Sequence, residues 1–147
     1  MKKYLFVKKS GLPNAGKGLF TKIEIKKGAR IVEYKGRLQS WKEVKAEDGF
    51  NGYLMYIHRN AVINALPTVK TLGRYANDAK GIIRVDRLRN NSEYVSEGNR
   101  CFIEAIKNIK PGEEILVGYG NEYWNLIQRI KSISGPLAKR IDASWVS

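Results

Sequence analysis

Cysteine, histidine and acidic residues are all scarce in this sequence of 147 residues. Cys101 is the only cysteine, which excludes an intramolecular disulfide and a cysteine-rich zinc site. His58 is the only histidine, so a metal cluster of histidine and cysteine is excluded as well, and we expect no bound metal. Cys101 lies in the apolar stretch CFIEAI, where we expect a small buried hydrophobic residue rather than a nucleophile paired with His58.

Long hydrophobic runs are also lacking. No apolar stretch approaches the roughly 18 residues that a membrane span requires. The opening stretch MKKYLFVKKS has too short an apolar run for a signal peptide, and no cleavage site of small residues follows it. We therefore expect an intracellular protein with no membrane partner, cytoplasmic if the source is microbial and nuclear if it is eukaryotic.

The shortage of acidic residues gives the chain a strong positive charge. There are 27 Lys and Arg against 14 Asp and Glu, and residues 1–73 hold 15 of the basic residues but only 5 of the acidic ones. A field of this sign attracts polyanions. Association with nucleic acid through the basic N-terminal half is one interpretation, and a merely solvated surface is the other; composition leaves both open.

Most of the sequence consists of short runs typical of β-strands. Short β-branched or aromatic runs bounded by turn residues predict about eight strands. These runs are YLFVKK, KGLFTK, ARIVEYKG, YLMYIH, AVINAL, SEYVS, RCFIEAI and EEILVGYG. WKEVKAEDG predicts one short helix, and apolar residues at spacings of three and four after Gly120 predict a C-terminal helix. The sequence is therefore mainly β, and we expect a single domain.

One stretch near the start, GLPNAGKGLF at 11–20, has nearly the spacing of a nucleotide-binding P-loop. A P-loop requires Ser or Thr at the position that Gly18 occupies, because that hydroxyl ligates magnesium beside the phosphates. A P-loop also leads into a helix, and no helical periodicity follows Gly18. We therefore expect this loop to serve a different ligand.

Four stretches, in order, resemble the signature of the SET-domain protein-lysine methyltransferases. They are AGKGLFTKIEIKKGARIVEYKG at 15–36, GRYANDAKG at 73–81, NNSEYV at 90–95 and CFIEAIKNIKPGEEILVGYGNEYW at 101–124. The resemblance covers residues 4–124. It is to members that stand alone, without the cysteine-rich zinc segment that follows many SET domains.

The resemblance implies a SET-domain fold of small curved sheets with a knot-like crossing, at which the fourth stretch threads beside the second. It implies a SET domain over 1–124, on which a C-terminal helix and tail at 125–147 pack within one domain. It also implies an enzyme that transfers a methyl group from S-adenosylmethionine to a lysine side chain of a protein or peptide substrate, a reaction that needs no metal.

The resemblance also implies roles for individual residues. Tyr119 matches the family's catalytic tyrosine, and Tyr34 and Tyr94 match positions that line the lysine channel in some members. Gly16 and Gly18, lacking a Cβ, would let the backbone approach the cofactor closely. The implied cofactor-binding residues are Gly16, Lys17, Gly18, Leu19, Arg74, Tyr75, Asn77, Asp78 and Trp124. Trp124 has a second interpretation, as an anchor of the last helix.

The sequence departs from the family pattern at Asp78-Ala79, where the family has His-Ser. The charge of Asp78 needs a partner or water, and Arg74 and Arg100 are the candidates. This departure keeps a second function open, a catalytically weak SET-like module that binds protein or nucleic acid. For the enzyme, the expected substrate is a histone-like or other nucleic-acid-associated protein.

Overall fold

Nine short strands dominate the computed structural model of the chain, which describes residues 1–47, 51–79 and 88–118. The strands are β1 (Leu5–Lys9), β2 (Lys17–Thr21), β3 (Arg30–Glu33), β4 (Arg37–Gln39), β5 (Leu54–His58), β6 (Ala61–Asn64), β7 (Ser92–Glu97), β8 (Arg100–Ala105) and β9 (Glu114–Ile115). They form three antiparallel sheets, in the orders β1-β2-β9, β3-β8-β7 and β4-β6-β5. The prediction of a mainly β fold is confirmed.

Each of the eight predicted strands corresponds to an observed one, and β4 is the strand that the sequence pattern missed. The predicted short helix is observed as α1 (Trp41–Val44), followed by a 3₁₀ turn at Lys45–Glu47. A reciprocal capping box starts α1, because the Ser40 hydroxyl accepts from the Glu43 amide and the Glu43 carboxylate accepts from the Ser40 amide. Two further 3₁₀ turns lie at Lys2–Tyr4 and Gly73–Tyr75.

The first sheet packs one face against the main hydrophobic cluster. Leu5 and Leu19 lie on the buried face with Ile115, and all three belong to the main hydrophobic cluster. On the other face, Phe6 stacks on Phe20 with ring centroids 5.6 Å apart. This alternation follows from the period of two along a strand. It turns Phe6 and Phe20 away from the main hydrophobic cluster.

The fourth motif crosses between the second and the third. Leu116 pairs in parallel with Asn77, and Val117 pairs in parallel with Ser92. The Val117 amide donates to the Asn77 carbonyl at 2.8 Å, while the Ser92 amide donates to the Leu116 carbonyl at 3.1 Å. The segment 114–117 is therefore held on both sides, as expected of the crossing.

The second hydrophobic cluster lies between the other two sheets and contains Tyr34, Tyr53, Ile63 and Cys101. Tyr94 packs against both clusters. The predicted C-terminal helix and the tail to 147 lie outside the described residues. Within the part of the chain that the structure describes, no helix has the length and apolar character needed to cross a membrane.

Candidate active site

The loop at 10–16 joins β1 to β2 and, with the first residues of β2, carries the P-loop-like spacing. The Ser10 amide donates to the Gly16 carbonyl at 2.8 Å, which closes the loop. Gly16 has a φ of 65°, a left-handed conformation that favours glycine. Lys17 is exposed and starts strand β2, so the loop leads into a strand and lacks the helix N-terminus that a P-loop uses to bind phosphate.

A buried carboxylate, that of Glu114 on β9, holds the beginning of this loop. Its Oε2 accepts from the Ser10 hydroxyl at 2.6 Å, and its Oε1 accepts from the Gly11 amide at 2.9 Å. Its Oε2 also lies 3.5 Å from the side-chain nitrogen of Asn77. Hydrogen bonds to an ionised acceptor are the stronger kind, so this carboxylate fixes the loop against the fourth motif.

Asn77 connects the crossing to the other end of the loop. Its Nδ2 donates to the Lys17 carbonyl at 2.9 Å, and its backbone carbonyl accepts from Val117. Its side-chain Oδ1 accepts no hydrogen bond from the described residues, which leaves that oxygen available to a ligand donor. The structure thus brings Asn77, Gly16, Lys17 and Gly18 together, as the assignment to one cofactor site requires.

Leu19 differs from its neighbours in the loop because its side chain is fully buried in the main core. Only its backbone is placed to contribute to a site beside Gly18. Its assignment to the cofactor therefore stays a prediction about main-chain contacts.

The described contacts of Arg74 and Tyr75 lie on the side of residues 65–69. The Arg74 guanidinium donates through one nitrogen to the carbonyls of Ala65 and Leu66, both at 2.9 Å, and lies 4.1 Å from the Tyr53 ring centroid. The Tyr75 hydroxyl donates to the Val69 carbonyl at 2.7 Å. A role for these two side chains at the cofactor stays a prediction.

Asp78 has Asn90 as a partner, which the sequence did not indicate. Asn90 donates from Nδ2 to Asp78 Oδ1 at 2.9 Å and accepts from the Ala79 amide at 2.8 Å. Arg100, one of the two expected partners, pairs instead with Glu33 at 2.7 Å. The hydrogen bond from Arg100 lowers the pKa of the Glu33 carboxyl. Asp78 therefore joins the second motif to the third.

Tyr34 and Tyr94 form an aromatic wall in the second hydrophobic cluster. Their rings meet edge to face with centroids 5.9 Å apart. The Tyr34 hydroxyl donates to the Tyr53 carbonyl at 2.8 Å, and burial raises the pKa of Tyr34 well above its ordinary value. The two predicted channel tyrosines are therefore in contact. Tyr119 and Trp124 lie outside the described residues, and their roles stay predictions.

The expectation that Cys101 is a small buried residue fits the structure. Cys101 is buried, and desolvation raises the pKa of its thiol to about 11. His58 is exposed, with its Nε2 2.8 Å from Asn99 Oδ1. Among the described residues, no group of histidine, cysteine and acidic side chains could hold a metal ion.

Comparison with known proteins identifies the family that has this arrangement. The SET domain family matches residues 16–120, which includes the loop from Gly16 and the whole crossing. The chain belongs to the SET-domain family. Because the match extends to Gly120, it includes the position of Tyr119 as well as the described part of the site.

Two relatives illustrate the family. The histone-lysine N-methyltransferase EZH2 of Chaetomium thermophilum is 29% identical over 133 residues, an alignment that covers 83% of this chain but only 8% of that protein. The methyltransferase domain of human PR domain-containing protein 2 superposes with a TM-score of 0.61 at 22% identity, covering 82% of this chain and 80% of that one. The second likeness supports the SET-domain fold.

The sequence did not single out four residues that the structure places in or beside the site. They are Ser10, Glu114, Asn91 and Tyr53. Glu114 lies in the quoted fourth motif, but nothing in its spacing indicates that its carboxylate reaches Ser10, 104 residues earlier in the chain. Asn91 lies in the third motif, and nothing in its spacing indicates that its side chain bonds to the Glu114 carbonyl and the Leu116 amide. Nothing in the sequence indicated a role for Tyr53 at the site, because it lies in an ordinary strand-like run.

Proposed function

We propose that this SET-domain protein transfers a methyl group from S-adenosylmethionine to a lysine side chain of a protein substrate. The observation that carries the proposal is the junction of the loop with the crossing, where Asn77 binds the Lys17 carbonyl within a family match that runs to Gly120. The named activity of the histone-lysine methyltransferase relative supports the same reaction class.

The residues of the loop suit the amino-acid end of S-adenosylmethionine. The amides of Asn14, Ala15 and Gly16 donate to no acceptor among the described residues, so they can receive a carboxylate. The free Oδ1 of Asn77 can accept from an ammonium group. Lys17 is exposed beside them and adds positive charge near the same carboxylate. The bound cofactor would supply an electrophilic methyl group on sulfur.

The protein's part in the reaction is to align a neutral amine with that methyl group. A free lysine has a pKa near 10.4, so only about 4 in 10,000 are neutral at pH 7. Burial among tyrosine rings such as those of Tyr34 and Tyr94 lowers this pKa, because it disfavours the charged ammonium. The buried guanidinium of Arg74, which lies 4.1 Å from the Tyr53 ring centroid in the same cluster, would act in the same direction. Tyr119 would orient the amine through its hydroxyl.

The test is transfer of label from S-adenosylmethionine carrying an isotopic methyl group to an unmethylated protein extract. We expect label in methyl-lysine after acid hydrolysis. Label confined to other amino acids would contradict the lysine assignment. Binding of S-adenosylhomocysteine without any transfer would favour the alternative, a SET-like module that binds protein or nucleic acid without catalysis.

The proposed substrate is a histone-like or other nucleic-acid-associated protein, and the proposed location is intracellular. A basic tail and a basic enzyme repel each other unless acidic side chains line the groove. Two acidic side chains that could line such a groove already have partners. Glu33 pairs with Arg100, and Glu114 accepts from Ser10 in the loop. A nucleic acid that binds both proteins would remove this difficulty.

A basic face on the first sheet is the observation that favours nucleic-acid association. Residues 1–27 contain eight lysines and one acid, Glu24, which pairs with Lys26. On the face of β1 and β2 that carries Phe6 and Phe20, the Lys8 ammonium lies 4.4 Å from the Phe20 ring centroid, and that of Lys22 lies 5.9 Å from the Phe6 centroid. Cation–π contacts of this kind keep both charges above the strand pair.

We expect Lys8→Gln/Lys22→Gln to weaken binding to a short DNA duplex and to lower the slope of log affinity against log salt by about 2. Lys42→Gln/Lys107→Gln removes the same charge from exposed positions elsewhere and serves as the matched control. Equal slopes for the two variants would show that net charge alone drives the association. Tight binding to an acidic peptide but not to DNA would point to a protein partner instead.

A further inference from the structure

Gly18, the second residue of β2 directly after the loop, is a position where glycine is required for a reason other than its backbone conformation. Its φ is not positive, in contrast to that of Gly16. A Cβ at residue 18 would overlap Oε2 of Glu114 and would lie 3.0 Å from Cδ of the same side chain. It would also lie 3.2 Å from Cβ of Ser10. The space beside Gly18 is therefore filled by the Glu114 carboxylate.

That carboxylate is buried and touches both ends of the loop. At the start of the loop it accepts from Ser10 and Gly11, at 2.6 and 2.9 Å. At the far end it lies against Gly18, next to the Lys17 carbonyl that Asn77 holds. β9 fixes its position, because Glu114 pairs with Phe20 in the sheet. One side chain therefore sets the separation of the two ends.

We infer that Glu114 is the positioning residue of the cofactor loop, and that residue 18 is glycine in order to admit its carboxylate. This inference rests on the proposed function for the identity of the ligand. It separates two glycines that the sequence treats alike: Gly16 gives the loop its turn, and Gly18 gives the carboxylate its place. Glu114 acts through the loop and has no role in the methyl transfer itself.

The inference predicts a specific rescue. We expect Gly18→Ala and Glu114→Ala each to weaken S-adenosylhomocysteine binding about tenfold, the first by steric overlap and the second by leaving Ser10 and Gly11 without their acceptor. The double variant should bind no more weakly than Glu114→Ala alone, because the added methyl group then has room. Calorimetric titration of the single and double variants measures this coupling.

Three further variants serve as controls. In Gly16→Ala/Glu114→Ala the two losses of binding affinity should multiply. The backbone strain of an alanine at residue 16, where φ is positive, does not depend on the Glu114 carboxylate. Gly18→Ala/Glu114→Gln should remain as weak as Gly18→Ala, because glutamine fills the same space. Glu113→Ala, which alters an exposed neighbour bonded to the Lys110 amide, should bind like the wild type. KM for the cofactor should rise in the single variants with much smaller changes in kcat.

Amide hydrogen exchange provides a readout that needs no cofactor. The Gly11 amide should exchange about tenfold faster in Glu114→Ala than in the wild type, while the distant Gly28 amide, bonded to Ala105, should not change. Unchanged exchange at Gly11, or multiplying losses in the Gly18 and Glu114 pair, would overturn the inference. If the wild type bound no S-adenosylhomocysteine, the proposed function would fail, and exchange at Gly11 would still decide the role of Glu114.

Discussion

We expect Tyr119→Phe to lower turnover roughly tenfold or more, a loss of about 1.4 kcal/mol or more of transition-state stabilisation. The substitution keeps the ring and removes only the hydroxyl that would orient the amine. S-adenosylhomocysteine binding should stay within about twofold of the wild type, because the proposed cofactor contacts come from the loop and Asn77. Initial rates with labelled S-adenosylmethionine, measured beside calorimetric titrations, would separate the two effects.

The matched control is Tyr56→Phe. Tyr56 is exposed on β5, and its ring meets Trp41 edge to face, away from the two predicted channel tyrosines. This variant should turn over at the wild-type rate. If Tyr119→Phe did so as well, the catalytic assignment would be wrong. Parallel loss of turnover and of cofactor binding would instead show that the hydroxyl supports the fold of the site.

The sequence predicted the strands well because their signals are local. β-branched and aromatic runs bounded by turn residues marked eight of the observed strands. β4 escaped because Arg37–Gln39 has only three residues, too few for a periodic pattern to be recognised. Its identity as a strand comes from pairing with β6, a contact between residues more than twenty positions apart. Local patterns carry no information about such a partner.

The candidate site was predictable in its motifs but not in its long-range contacts. The sequence placed Gly18 in the cofactor loop and attributed the glycine to close approach of the ligand. The structure adds a carboxylate from a residue nearly a hundred positions later, Glu114, in the space that a side chain would need. The partner of Asp78 was missed for the same reason, because Asn90 reaches it only after the chain has folded.

Asn91 provides the largest stability effect that we expect of a single side chain. It is buried, its Nδ2 donates to the Glu114 carbonyl at 2.8 Å, and its Oδ1 accepts from the Leu116 amide at 2.9 Å. We expect Asn91→Ala to lower the free energy of unfolding by about 2–4 kcal/mol, because two backbone groups in the buried crossing lose a partner. Folded domains have only about 5–15 kcal/mol in total, so the variant should unfold at clearly lower urea concentration.

Asn108→Ala is the matched control for this variant. Asn108 is exposed and accepts one hydrogen bond, from the Lys27 amide at 2.8 Å, so its loss should cost less than about 1 kcal/mol. Equal losses for the two variants would show that the crossing contributes little to stability.

Asn91→Asp tests the donor and the acceptor of Asn91 separately. It keeps an acceptor for Leu116 but turns a carboxylate toward the Glu114 carbonyl. Burial raises the pKa of such a carboxyl in the folded state, so the folded protein binds more protons than the unfolded chain. The free energy of unfolding of this variant, measured against the wild type, should therefore fall as pH rises from 4 to 7. A difference that does not change with pH would mean that the side chain at 91 has left the crossing. In the wild type this amide holds the backbone at Glu114 and Leu116, while Asn77 and Ser92 hold the rest of the crossing.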